Sequence, residues 1–590
     1  MCGICGELRL DGSRPDAEVV ARMLPAIERR GPDAAGQYTD GPLQMGHRRL
    51  SIIDLSDRAA QPMRDLRTDN CIVFNGSIYN YPELRKELQA LGHEFSSSGD
   101  TEVILRAYSQ WGEAFVSRLS GMFAFAIWDA KDRSLLLARD RMGIKPLYFS
   151  HTDGSFRWAS NTQALLASGG IDTRIDPVAV HHQLTLHASV PAPHTLMMGI
   201  RKLEPGHTMR VKAGQPVRKQ RYWQLSSAPG AVRSDQEWTD SVHQALRVAV
   251  KRRLDIADVP VGVLLSGGLD SSILVGLLAE AGASNLQTFT VGFEDQPEER
   301  GDEFEFADMV AQQYGTRHHQ FSVPNEDLMR RLPEAVAAMA EPMVGQDAAA
   351  FYLLSERVSQ EVKVVQSGQG ADEVFGGYFW YPEMHKAEGE PDLARFSNRY
   401  FDRDHCEWLE MIDPEYHTDS DVSSAYVAGL LAQFGEGEYV NRVLAMDTSS
   451  LIVDDPVKRV DNMTMAFGLE ARVPFLDHEL VELVAGMPAR LKLAQGGKGV
   501  LKDISRGIVP DAIIDRPKAY FPVPALKFVR GEVLDFMRDI LNADACRQRG
   551  LFNRAYVDKL LVEPDQHFTR LQGSKLWHLA LLELWMQQHI

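Results

Sequence analysis

Cysteine is scarce in this chain. Cys2, Cys5, Cys71, Cys406 and Cys546 are the five cysteines of 590 residues, an odd and scattered set that builds no disulfide framework and suits a reducing cytoplasm. Cys2 and Cys5 have C-x-x-C spacing, but without a preceding strand or a second pair they lack the context of a zinc or redox motif. Long apolar runs are also missing. No stretch reaches the roughly eighteen residues of a membrane span, and no basic segment leads into an apolar one as in a signal peptide. Positive charge is in deficit, 63 Lys and Arg against 81 Asp and Glu, for a net charge of −18. That sign opposes a nucleic-acid partner, because phosphate binding needs a basic face. A hydrophobic content of 44% and a charged content of 24% are those of a soluble globular protein, and the length predicts roughly two to four domains.

One further absence is local. The stretch Val261-Gly-Val-Leu-Leu-Ser-Gly-Gly-Leu-Asp-Ser-Ser272 reads as a short buried strand, a Gly/Ser loop and a helix, yet the lysine of an ordinary G-x-x-x-x-G-K-[ST] phosphate loop is not there. Gly267 and Gly268 let the backbone turn and gather N–H groups, and Ser266, Ser271 and Ser272 add hydroxyls at the positive end of the helix. This is a cradle for phosphate or pyrophosphate. Asp270 inside it makes sense mainly as a magnesium ligand. S-G-G-L-D-S-S resembles the pyrophosphate loop of the N-type ATP pyrophosphatases, which cleave ATP between the α and β phosphates and adenylylate an acceptor.

The chain opens Met1-Cys2-Gly3-Ile4-Cys5-Gly6. Once the initiator methionine is removed, Cys2 carries both a thiol and an α-amino group titrating at roughly 7.7 to 8.0, a nucleophile with its own base. The separated motifs Arg30-Gly31-Pro32-Asp33, Gly46 to Asp54, Phe74 to Asn80, Ser98 to Glu102, Gly121 to Ala126 and Ala138 to Tyr148 follow in the order of the class II glutamine amidohydrolase domain, which the chain resembles from Met1 to about Arg210. Hydrolysis of the glutamine amide needs attack by Cys2 and an oxyanion hole, for which the Asn75 side chain and the Gly76 N–H are the candidates. Arg49 suits the α-carboxylate and Asp100 the α-ammonium; Leu50, Ser51, Ile52, Ile53 and Ser77 complete the glutamine site that the resemblance implies. Where the family often has N-G-E, this chain has Asn75-Gly76-Ser77.

In the second half, Thr288 to Phe293 reads as the next parallel strand, and by resemblance Leu265 and Val291 meet the adenosine through backbone groups. Val364 to Tyr378 contains Ser367-Gly368-Gln369-Gly370-Ala371-Asp372-Glu373, similar to the S-G-E-G-x-D-E of the asparagine synthetases. Ser367 and Gly368 join the ATP site, and Asp372 offers magnesium a second carboxylate. Gln369 replaces a glutamate, and a neutral amide cannot act as general base. Asp454 to Ala466, Leu469 to Asp477, and Arg516-Pro517-Lys518 with Tyr520-Phe521-Pro522 extend the resemblance. Lys502 to Arg506 reads as K-x-x-x-R against the family's K-x-x-L-R, making Lys502 the candidate cation for the α-phosphate and Lys498 the runner-up. The adjacent pairs His181-His182 and His318-His319 are expected to point apart and not to ligate metal.

Together these readings identify a glutamine-dependent amidotransferase resembling the asparagine synthetases. The expected fold is α/β: an N-terminal nucleophile αββα sandwich over 1–214, a Pro/Gly/Ser-rich linker over 215–238, and a parallel-sheet ATP pyrophosphatase domain over 239–590. ATP and Mg2+ are the expected co-substrate and cation, small molecules the partners, and a homodimer is compatible with the resemblance. The acceptor string Val365 to Glu373, with Asp454 to Asn462 and Val190 to Pro193, looks most like the branch that amidates N-acetylglutaminylglutamine to make an osmoprotectant; aspartate is the alternative. A β-lactam-closing synthetase would have lost the glutaminase groups that this chain keeps.

Overall fold

The computed structural model describes residues 2–435, 437–517, 523–527 and 529–590. Lys518, Tyr520, Phe521 and Pro522, named above, lie outside the described residues. The first part of the chain supplies β1 (Gly3–Arg9), β2 (Ala34–Asp40), β3 (Leu43–Arg49), β4 (Met63–Arg64), β5 (Cys71–Ile78), β6 (Gly121–Asp129), β7 (Ser134–Arg139), β8 (Tyr148–His151), β9 (Ser155–Ala159), β10 (Arg201–Lys202), β11 (His207–Lys212) and β12 (Arg218–Arg221). Among the described residues these form two antiparallel six-stranded sheets, ordered β10-β8-β9-β1-β3-β2 and β12-β11-β7-β6-β5-β4.

Side chains on a strand alternate between its faces, and the sequence of β5 and β6 uses both. Cys71, Val73, Ala124, Ala126 and Trp128 pack with Ile4, Leu8, Met45 and Trp158 between the sheets. Ile72, Phe74, Phe123, Phe125 and Ile127 turn outward against Leu84, Leu88, Val103 and Ile104, from the helices Tyr81–Ala90 and Asp100–Trp111. Val20, Met23 and Leu24 of the helix Ala17–Ala26 cover the first sheet near Cys5. The result is the expected αββα sandwich. Arg218–Arg221, four basic and polar residues without apolar alternation, add an exposed edge strand beyond position 214, and the next helix begins at Asp235 behind a Ser234/Glu237 capping box.

The second part builds one parallel sheet from β13 (Val261–Leu264), β14 (Gln287–Phe293), β15 (Arg317–Val323), β16 (Val364–Gln366) and β17 (Glu470–Arg472), in the order β15-β14-β13-β16-β17. From β13 the chain winds outward through β14 and β15, then returns to the other side for β16 and β17. The crevice at the carboxyl ends of β13 and β16 is therefore a topological switch point, where open α/β sheets bind ligands. The segment 379–439, polar in sequence, contains the helices Asp392–Tyr400, His405–Met411 and Val422–Gln433, anchored by buried Phe396, Trp408 and Val427.

The two parts share a buried boundary. Leu50 and Ile52 pack on Val364. Asp461 accepts Arg30 at 2.9 Å and Lys145 at 3.1 Å, and Lys202 reaches Glu341 at 3.0 Å and Asp454 at 2.6 Å. With all these side chains at most 7% exposed, removing one partner would strand a buried charge.

Candidate functional site

Two pockets flank this boundary. The first is walled by Cys2, Arg49, Leu50, Ile52, Ile53, Gly76, Ser77, Asp100 and Glu470 among others. Cys2 immediately precedes β1, and its backbone N–H donates to Asn75 Oδ1 at 3.0 Å. That bond turns the Asn75 amide so that Nδ2, fully buried, has no hydrogen-bond partner among the described residues; Asn75 itself does not line the pocket, while its neighbours Phe74, Gly76 and Ser77 do. A Cβ on Gly76 would stand 2.2 Å from the Met122 carbonyl oxygen, so only glycine lets β5 run this close to β6.

Arg49 donates to the backbone carbonyls of Ser56, at 3.0 Å, and Asp54, which fixes its guanidinium in the pocket wall. Asp100 begins its helix, and its Oδ2 accepts the Ile78 N–H at 3.0 Å. Burial raises its carboxyl from 3.8 to about 6. Burial likewise raises the Cys2 thiol, opposed by the Leu50 N–H and the Arg49 charge and reinforced by Glu470. Ser51 does not face the pocket; its N–H donates to Asp33 Oδ2 at 2.7 Å.

The second pocket, a cavity of about 250 Å3, opens at the switch point. Leu265, Ser266, Gly268, Asp270, Ser271, Val291, Ser367, Gly368, Gln369, Asp372, Glu373, Lys498 and Lys502 all line it, joining segments far apart in sequence. Gly267 and Ser272 shape the turn from behind. Gly267 has φ of 77°, and a Cβ there would lie 2.9 Å from the Ala307 N and Phe306 Cβ. The Ser272 hydroxyl donates to the Gly268 carbonyl at 2.7 Å. Ser271 Oγ accepts the Ser266 N–H at 3.2 Å, holding the turn wound at the start of the helix Leu269–Glu280. Phe289, Phe351 and Leu354 give the inner wall an apolar surface.

The lysine in the centre is Lys498. Its Nζ donates to Asp270 at 2.6 Å and sits 2.8 Å from Asp372, with 8% of the residue exposed. The expected Lys502 lies at the rim, its Nζ on the Gln495 carbonyl at 2.6 Å. The sequence carried the signal: Lys498-Gly-Val-Leu501-Lys502 retains the leucine of K-x-x-L-R that the other register loses.

Two carboxylates and no soft ligand suit a hard oxygen-seeking cation. Side chains at Gly368 and Gly377 would crowd Asp270 Cβ at 2.9 Å and Asp372 Oδ1 at 2.1 Å, so the glycines keep that space open. Glu373, behind Asp372, accepts the Tyr378 hydroxyl at 2.8 Å; burial, then Asp372 and Asp447, raise it to about 8. Arg516 pairs with Glu303 at 2.8 Å and caps the cavity with Pro517.

One short strand joins the pockets. Ser77 Oγ donates to Glu470 at 3.2 Å, Arg472 Nε donates to Glu470 at 2.6 Å, and the Arg472 carbonyl accepts the Ser367 N–H at 2.9 Å. No sequence pattern marks Glu470 as a site residue, because a strand of three residues announces no cross-domain contact. The histidine pair 181/182 does not point apart: both rings contact Ser423 Oγ, at 2.7 and 2.9 Å, and His181 stands beside His405 and Asp421. None of these residues lines either pocket.

Comparison with known proteins agrees with this two-part layout. The family described as asparagine synthase matches residues 241–587, and the glutamine amidotransferase domain matches residues 1–223. The chain is 31% identical to asparagine synthetase [glutamine-hydrolyzing] 1 of Bacillus subtilis over 99% of this chain and 96% of that one. It is 29% identical to asparagine synthetase [glutamine-hydrolyzing] 3 of the same organism over 100% and 99%. Among solved structures, a B. subtilis glutamine phosphoribosylpyrophosphate amidotransferase aligns with a TM-score of 0.31 and 14% identity, over 56% of this chain and 92% of that one.

Proposed function

This chain belongs to the asparagine synthase family, as an amidotransferase that hydrolyses glutamine and takes ATP as co-substrate, and we propose that the acceptor it amidates is N-acetylglutaminylglutamine. Cys2 Sγ attacks the glutamine side-chain amide while Arg49 and Asp100 hold the α-carboxylate and α-ammonium. Asn75 Nδ2 and the Gly76 N–H receive the oxyanion. The released ammonia must stay out of bulk water, where protonation removes its lone pair. Ser77, Glu470, Arg472 and Ser367, in hydrogen-bonded succession, link the walls of the two pockets.

In the second pocket the Ser266–Ser272 turn cradles the pyrophosphate moiety, with Leu265 and Val291 beside the adenosine. Lys498 stabilises charge gathering on the phosphates as the acceptor carboxylate becomes an adenylate. Asp270 and Asp372 would hold a magnesium ion, which supplies charge neutralisation at the phosphates. Ammonia then displaces AMP.

The observation that carries the acceptor reading is Gln369 in the cavity wall beside Asp372, an amide where aspartate-using relatives are expected to keep a carboxylate. A neutral amide at this one position suits a larger acceptor with fewer charged groups than aspartate. Pyrophosphate release in the presence of MgATP and glutamine tests it: release with the acetylated dipeptide and none with aspartate is expected. Aspartate-dependent release alone would make the protein an asparagine synthetase.

A further inference from the structure

Among the residues walling the glutaminase pocket, Glu470 comes from the ATP domain. It opens β17, the edge strand of the parallel sheet, and shares the pocket with Cys2, Ser77 and Asp100. Ser77 stands where N-G-E would bring a carboxylate. Its hydroxyl instead donates toward both oxygens of Glu470, at 3.2 and 3.4 Å, and Arg472 Nε fixes Oε1 at 2.6 Å. Glu470 and Ser77 are at most 1% exposed. Beside the position the serine vacates, there is thus an oriented carboxylate delivered by another domain.

We propose that Glu470 is a glutamine-recognition residue that, with Asp100, receives the substrate α-ammonium in place of the carboxylate missing at position 77. The inference rests on the glutaminase reading above. An ammonium has three donors, and Asp100 already spends Oδ2 on the Ile78 N–H, so one carboxylate leaves it undersupplied. Arg49 in the same pocket lining matches the substrate carboxylate, and the two acids Asp100 and Glu470 match its ammonium. Because β17 also accepts the Ser367 N–H through Arg472, the pocket is complete only when the parallel sheet is docked against the sandwich.

The experiment compares glutamine with 4-carbamoylbutanoate, its analogue without the α-amino group, in the full-length enzyme. Glu470→Gln is expected to raise KM for glutamine by about ten- to a hundredfold, as for loss of a charge-assisted hydrogen bond, with a much smaller change in kcat. KM for the analogue should move by less than about threefold. Adding Ser77→Glu to that variant should bring glutamine KM back toward wild type, and Glu470→Asp, which keeps the charge, should lie between. An equal rise for glutamine and the analogue, or a glutamine KM unchanged in Glu470→Gln, overturns the proposal and leaves Glu470 a packing residue. A wild-type enzyme unable to hydrolyse glutamine would instead remove the glutaminase reading and this inference with it.

Discussion

Lys498 donates from Nζ to Asp270 Oδ2 at 2.6 Å across 228 residues of sequence. Burial works against its charge, but Asp270 and Asp372 more than offset it and hold the ammonium protonated far above neutral pH. A fixed cation at the phosphate turn acts by preorganised electrostatics. Lys498→Ala is therefore expected to lower kcat for acceptor-dependent pyrophosphate release by about 100- to 1000-fold, and Lys502→Ala by far less. Equal losses would return Lys502 to the centre of the chemistry.

Cys2→Ala removes the proposed nucleophile of one pocket and touches no residue lining the other. Amide synthesis from glutamine should disappear while synthesis from added ammonium salt at pH 8 to 9 persists. Quantifying the amidated product with each nitrogen source decides it, and loss of both would mean the pockets are not separable.

Asn75→Ala deletes the unpartnered Nδ2 and also the acceptor of the Cys2 N–H. The expected loss in glutaminase kcat is on the order of a hundredfold or more, with ammonia-supported synthesis as the internal control. A loss expressed in glutamine KM alone would assign Asn75 to binding.

Asp100 gives the glutaminase a pH dependence. Burial, with Glu470 adding to it, raises the carboxyl from 3.8 to about 6. In the role proposed for Asp100 the ionised form binds the glutamine ammonium, so binding is present above about pH 6 and is lost as pH falls through that value, not through the ordinary carboxylate range. Calorimetry of glutamine on a Cys2→Ala variant should show affinity about tenfold weaker at pH 5 than at pH 7. Equal affinity at both would show that Asp100 does not meet the ammonium.

Asp461 clamps the two parts by accepting both Arg30 and Lys145. Replacing it with alanine leaves two buried cations without their acid, and the expected cost is about 3–5 kcal/mol of stability. A melting temperature within a degree or two of wild type would show that the boundary is held by its apolar contacts instead.

The sequence made the two folds and most of both pockets legible for one reason: glycines, acids and nucleophiles there sit in contiguous strings whose local geometry carries their chemistry. Val261 to Ser272 has to be a strand, a turn and a helix start, and Asn75-Gly76 follows the apolar run Ile72-Val73-Phe74 within β5. Lys498 against Lys502 was harder. Both lie on one short stretch and both line the cavity, but it is Lys498, in a left-handed turn with φ of 58°, whose Nζ reaches Asp270 and Asp372.

Sequence alone determined the parts: a cysteine at position 2 with the Asn75-Gly76 pair, a Gly/Ser turn with paired acids, and two domains of opposite sheet character. Only the tertiary structure decided how they meet. It set β17 beside Ser77, placed Glu470 in the glutaminase pocket, and tied the same strand to Ser367. The physical reason is that local order follows from side-chain periodicity and backbone permissiveness. Contacts between residues hundreds of positions apart are fixed instead by how whole faces bury each other, and no short string encodes that.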